Sequence, residues 1–149
     1  MDAFSQIAAG AESESAVWAA ALLPADERQL VAVFSPLAPE HLAAGLETVY
    51  EAYLVHYGRP RLFAALGDEE AVLLGDYLYA HGLVRVARAG GVHAVSVLAD
   101  LIARCAALRA DGAQGDGAAW IDAARALGGS PTDGEVASAL ELHSARVAA

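Results

Sequence analysis

The stretch Glu40-His41-Leu42-Ala43-Ala44-Gly45-Leu46-Glu47-Thr48-Val49-Tyr50-Glu51-Ala52-Tyr53-Leu54-Val55-His56-Tyr57 carries the clearest periodicity in the chain. Leu42, Leu46, Val49, Tyr50, Tyr53, Leu54 and Tyr57 recur at steps of three and four, the spacing that stacks side chains along one face of an α-helix. Glu40, Glu47 and Glu51 fall on the other side, so one face is expected in the core and the other in water. Gly58-Arg59-Pro60 stops the helix, because a residue that precedes proline is pushed out of the α region. Upstream, Ser35-Pro36-Leu37-Ala38-Pro39 forces a turn, and the helix is expected to begin near Pro39.

Two shorter helices are expected before that turn. Ser13 to Leu23 reads as one, stopped near Pro24, and residues 25 to 34 read as the next. Downstream, Asp68-Glu69-Glu70 places an N-cap candidate and two acids where they complement the positive end of a helix running from Ala71 to about Ala89. That helix is apolar nearly all round and is therefore expected at the centre of a bundle, with Gly75 and Gly82 on one face to admit a neighbour's backbone. Gly90-Gly91 ends it. Val92 to Ala110 follows, with Val95, Leu98, Ala99, Ile102, Cys105 and Ala106 facing inward, Asp100 and Arg104 paired one turn apart, and Gly112 just past its end. Asp111 to Gly117 is a connector. Trp120 to Leu127 makes a short helix closed by Gly128-Gly129, and Thr132-Asp133-Gly134-Glu135 has capping-box spacing for a last helix through about Ala145.

Composition agrees with this pattern. The 149 residues include 37 alanines, 19 leucines and only five prolines, a balance that favours packed helices over a sheet. One all-α domain over residues 1–149 is expected. Hydrophobic residues make up 56% and charged ones 19%, which excludes a wholly disordered chain. The net charge of −10 opposes binding to nucleic acid or an anionic membrane, since both need concentrated positive charge. Uncharged stretches reach about eleven residues, too short to span a bilayer. The start Met1-Asp2-Ala3-Phe4 lacks a basic leader, and one cysteine cannot form an internal disulfide, so a cytoplasmic location is expected. A mean hydropathy of +0.38 leaves more apolar surface than a small core readily hides, which points to a homodimer or a heteromeric partner.

All nine basic residues are arginine, and the absence of lysine excludes Schiff-base chemistry and a P-loop. A helical di-metal site needs Glu-x-x-His on two helices. His41, His56, His81, His93 and His143 are scattered without that spacing, so no metal and no cofactor is expected. Cys105 lies in an inward-facing stripe and reads as a buried structural thiol. Gly112-Ala113-Gln114-Gly115-Asp116-Gly117 lacks the preceding strand and the lysine of a phosphate loop. Asp76 sits among Leu73, Leu74, Tyr77 and Leu78, and its burial would demand a partner. Tyr50, Tyr53 and Tyr57, with Tyr77 and Tyr79 in the next helix, are core by default but could wall a pocket for a flat or chain-like apolar ligand.

The run Ala71-Val72-Leu73-Leu74-Gly75-Asp76-Tyr77-Leu78-Tyr79-Ala80 resembles the Gly-Asp helix of the trans-isoprenyl (polyprenyl) diphosphate synthases. Leu54-Val55-His56 and then Tyr57-Gly58-Arg59-Pro60 stand where that family has its Leu-Ile-His-like step and its Arg-Gly-x-Pro turn. The similarity covers roughly residues 40 to 110 and implies part of the isoprenoid synthase fold. The family's Asp-Asp-x-x-Asp, which holds magnesium against the substrate diphosphate, is missing between His56 and Arg59. Ala25-Asp26-Glu27-Arg28-Gln29 stands where its basic Gly-Lys-x-x-Arg-Pro element would be, and no second aspartate-rich motif appears within residues 1–149. Ionising an allylic diphosphate needs metal ions to neutralise the leaving group. The resemblance therefore implies a pseudoenzyme, not an enzyme on its own, acting as a non-catalytic subunit or partner of a prenyl diphosphate synthase. The alternative is a carrier or sensor that binds an isoprenoid or other apolar ligand in a helical cavity between the helix that begins near Pro39 and the one from Ala71 to about Ala89. Tyr50, Tyr53, Tyr57, Arg59, Arg61, Asp76 and Tyr79 are the expected ligand-binding residues.

Overall fold

In the computed structural model, which describes residues 1–147, the chain is all-α, with six helices: α1 (Ala3–Glu14), α2 (Ala16–Ala21), α3 (Ala43–Tyr57), α4 (Asp68–Ala110), α5 (Asp116–Ala126) and α6 (Asp133–Val147). The described residues contain no strand, only one isolated bridge between Leu22 and Phe63. α3 is the central element. It buries every residue from Gly45 to Leu54, on all sides, because α1, α4 and α6 all pack against it.

The expected water face of α3 is thus a second buried face. Glu47 and Glu51 are 2% and 0% exposed, and what admits them is Arg61, itself buried. Arg61 Nη1 donates to Glu47 at 2.5 Å and to the Val31 carbonyl at 2.9 Å, while Nε donates to Glu51 at 3.0 Å. The backbone N–H groups of Arg61 and Leu62 both donate to the other Glu51 oxygen at 2.9 Å. Buried charges persist only when paired and hydrogen-bonded in this way.

α4 antiparallels α3 and breaks at Gly91, whose φ of 73° and ψ of −163° are open to glycine. Its first arm, residues 68–90, buries one stripe: Leu74, Gly75, Leu78, Gly82 and Val86. Gly82 is where the two backbones approach, since a Cβ there would lie 2.6 Å from Val49 Cγ2 and 3.1 Å from Val49 N. The arm is not the bundle centre that its all-round apolarity suggested, for Val72, Leu73 and Val84 are 50%, 61% and 45% exposed. α4 as a whole is long and apolar enough to cross a membrane by length and composition: its most apolar 18-residue window has a mean hydropathy of 1.5 and is 22% buried. Counting uncharged stretches had missed this.

The N-terminal third departs most from expectation. α1 was not foreseen; Asp2 caps it by accepting from Ser5 N–H at 2.8 Å, and Ile7, Ala8 and Ala11 enter the core. The helix expected over 25–34 is instead a single 3-10 turn, Ala25–Glu27, followed by irregular chain. Tertiary bonds override local propensity there: Gln29 N–H donates to the Arg61 carbonyl at 3.1 Å and the Val31 carbonyl accepts from Arg61. The second arm of α4, residues 92–110, buries Ala94, Leu98, Leu101 and Cys105, whereas Ala99 and Ala106 are exposed. Arg104 pairs with Asp122 of α5 at 3.1 Å and not with Asp100. The capping box of α6 forms as expected, with reciprocal bonds between Thr132 and Glu135 at 3.1 and 3.2 Å. α5 starts four residues earlier than expected, at Asp116.

Candidate functional site

Of the expected ligand residues, Tyr57 ends α3 and Arg59 and Arg61 lie in the α3–α4 connection, while Tyr50 and Tyr53 lie within α3 and Asp76 and Tyr79 within α4. Gly58 terminates α3, and the next residues are clipped to the end of α6. Arg59 N–H donates to the Arg146 carbonyl at 3.0 Å, Arg146 Nη2 returns to the carbonyls of Arg59 and Pro60 at 2.7 and 3.0 Å, and Arg59 Nη2 donates to the Ala145 carbonyl. Arg59 borders two cavities. One, of about 360 Å³, is apolar, with Leu23, Val55, Phe63, Leu66 and Leu74 among its walls. The other, of about 210 Å³, is bordered by Arg59, Arg61 and Arg146. Burial, and then the nearby Arg59 guanidinium, push the Arg146 pKa down, as crowding of like charges does.

The rest of the expected set does not converge on a cavity. Tyr50 and Tyr53 are 1% and 0% exposed and fill the core. Their rings stack on each other with centroids 5.9 Å apart, beside Phe34 stacked on Trp120 at 5.4 Å. Tyr57 packs on Tyr53 at 5.2 Å, and Tyr79 stacks on His56, also at 5.2 Å. Tyr77 turns away towards Trp18 and His81, because adjacent odd positions on a helix point about 200° apart. Arg61 borders the second cavity, but its guanidinium is taken by Glu47, Glu51 and the Val31 carbonyl. Asp76 is not buried: its side chain is 68% exposed and lies 3.4 Å from His56 Nε2. Burial lowers the His56 pKa, with Asp76 opposing.

Two of the core tyrosines lead to polar groups that no spacing rule had selected. Tyr50 Oη is 2.8 Å from His143 Nδ1. Tyr53 Oη donates to Asp116 Oδ2 and accepts from Arg109 Nη2 at 2.8 Å, and Arg109 Nε donates to Asp116 at 2.8 Å. Burial raises the pKa of both phenols and lowers that of His143 to about 4, so all three groups are neutral at pH 7. Tyr53 and Asp116 are 63 positions apart, and their union follows only from the docking of α5 on α3. The sequence signal that could have found it was Asp116 inside the glycine run, seven residues after Arg109.

Among the described residues, no group of three or more His, Cys, Asp or Glu side chains is arranged to hold a metal ion. Cys105 is buried, and burial pushes its thiol up to about 12. No family model matches the chain, and no curated protein or solved structure matches it.

Proposed function

We propose that the protein is a non-catalytic helical module that works by association, as a subunit or partner of a prenyl diphosphate synthase in the cytoplasm. The observation that carries association is the outer face of the first arm of α4, where Val72, Leu73 and Val84 are 50%, 61% and 45% exposed. Ala80 and Ala87 are exposed on the same face, which Asp76 interrupts between Leu73 and Ala80. Burying a Val or Leu side chain contributes about 1.5 to 3 kcal/mol, so a partner helix laid on this face would gain several kcal/mol. The choice of partner rests on the resemblance of residues 54–60 and 71–80 to the synthase family.

Sedimentation velocity at micromolar concentration tests this, with the chain alone and mixed with a full-length prenyl diphosphate synthase from the same genome. Co-sedimentation that Leu73→Glu and Val84→Glu abolish, at unchanged melting temperature, is the expected result. A 15.3 kDa species indifferent to the synthase, or flotation with uncharged phosphatidylcholine vesicles, refutes it.

The carrier reading has its own observation, the position of Arg59 between the apolar cavity and the arginine-bordered one. That pair suits an amphipathic anion, chain in the first and headgroup against Arg59. The site lies below the α3–α4 connection and not between the two helices, which Gly45 and Gly82 hold too close for a ligand. Displacement of a fluorescent isoprenoid by farnesyl phosphate, weakened in Arg59→Ala, is the matching experiment.

A further inference from the structure

On the far side of the Tyr53–Asp116–Arg109 network lies the cavity of about 700 Å³ bordered by Arg109, Gln114, Asp116, His143 and Ser144. Three kinds of unmet bonding capacity meet there. Asp116 is 6% exposed, and its Oδ2 serves Tyr53 and Arg109 while its Oδ1 has no partner among the described residues. A buried carboxylate oxygen in that state is costly, and native structures normally supply a donor.

The opposite demand stands beside it. α5 begins at Asp116 without a side-chain cap, and the first bond of the helix runs from Ala119 N–H to the Gly115 carbonyl at 3.0 Å. The N–H groups of residues 116 to 118 are therefore without a helical acceptor, at the positive end of the helix. Arg109 Nη1 makes no hydrogen bond among the described residues, its Nε and Nη2 being taken by Asp116 and Tyr53. His143, bonded through Nδ1 to Tyr50 Oη at 2.8 Å, forms part of the cavity wall. Glycine permits this crowding: a Cβ on Gly117 would come 2.7 Å from Leu140 and 3.4 Å from His143, and Gly112 and Gly115 turn the loop at φ of 63° and 130°.

We propose that this cavity binds a small amino-carboxylate, a zwitterion whose ammonium meets Asp116 and whose carboxylate meets the Arg109 guanidinium and the N–H groups opening α5. Arg109 and Asp116 cancel in charge, so a ligand with both signs matches the site where a simple anion or cation matches only half of it. Asp116 thereby gains its missing donor and the helix terminus its missing acceptor.

The two tryptophans separate the readout, since Trp120 packs against Tyr53 at 6.1 Å while Trp18 lies in the other apolar cluster. Titrating the full chain with the common L-amino acids, with tryptophan fluorescence and calorimetry as readouts, should give saturable binding for at least one of them. Acetate and methylammonium should bind roughly tenfold or more weakly than that amino acid, each making half of the charge-assisted bonds. Asp116→Asn and Arg109→Gln should weaken binding by a similar factor. Because both disturb a core network, Ser144→Tyr is the decisive variant: Ser144 is exposed, touches none of the network bonds and borders the cavity, so tyrosine there should abolish binding at unchanged melting temperature. Absence of saturable binding by any amino acid at millimolar concentration overturns the proposal. So does acetate or methylammonium binding as tightly, or full binding in Ser144→Tyr.

Discussion

Replacing Arg61 with Met removes the one cation that holds two carboxylates inside the protein. The consequences for the two acids differ. Glu51 keeps two backbone donors, the N–H groups of Arg61 and Leu62 at 2.9 Å, and so remains partly satisfied. Glu47 keeps nothing: its Oε1 already lacks a partner and its Oε2 is bonded to Arg61. The guanidinium also lies over the Phe4 and Tyr50 rings, at 4.8 and 5.0 Å from their centroids, contacts a Met side chain retains only as packing. Breaking a buried pair by removing one partner costs about 3 to 5 kcal/mol, a large share of the roughly 5 to 15 kcal/mol that holds a domain together. Since most of the loss is the stranded Glu47 charge, Arg61→Met/Glu47→Leu should be less destabilised than the sum of its two single changes by more than about 1 kcal/mol. Urea unfolding at pH 7, followed by circular dichroism, measures all three variants against the parent. Arg61→Met within about 1 kcal/mol of the parent, or strict additivity in the double variant, would refute the reasoning that burial of these acids depends on the arginine.

Gly82→Ala should cost about 1 to 3 kcal/mol, because its Cβ meets Val49 backbone and side chain at 3.1 and 2.6 Å, while Gly67→Ala, with nothing within 4 Å, should stay within about 0.5 kcal/mol; paired thermal melts check both. His143 is neutral in the fold with its pKa pushed from 6.5 to about 4 by burial. Between those values the unfolded chain binds the extra proton, so stability is full above pH 6.5 and falls as pH drops towards 4, by roughly 3 kcal/mol from this group. Comparing the pH dependence of unfolding in the parent and in His143→Gln isolates that slope, and equal slopes would exclude it. Cys105, buried and with its thiol pushed up to about 12, should react with a disulfide reagent only at the rate of unfolding, and a fast stoichiometric reaction of the folded protein would show it accessible.

The helical class, the end of α3 at Gly58, the break at Gly90-Gly91, the capping box at Thr132 and the close crossing at Gly82 were all legible in the sequence. Each is a local matter, decided by side-chain periodicity, by a backbone donor or by the absence of a Cβ within a few residues. What the sequence could not decide was which side of each helix meets water. The 47/51 face of α3 looked solvated because acids usually are, and only the return of the chain at Arg61 supplied the cation that lets them be buried. The all-round apolar arm of α4 looked central, yet it packs on one side alone because α3 is the helix with neighbours on every side. In the same way Asp76 came to the surface, and Tyr53, Arg109 and Asp116 came together across 63 residues of chain. Pairing at that separation depends on how α5 docks against α3, which no periodicity within either helix records.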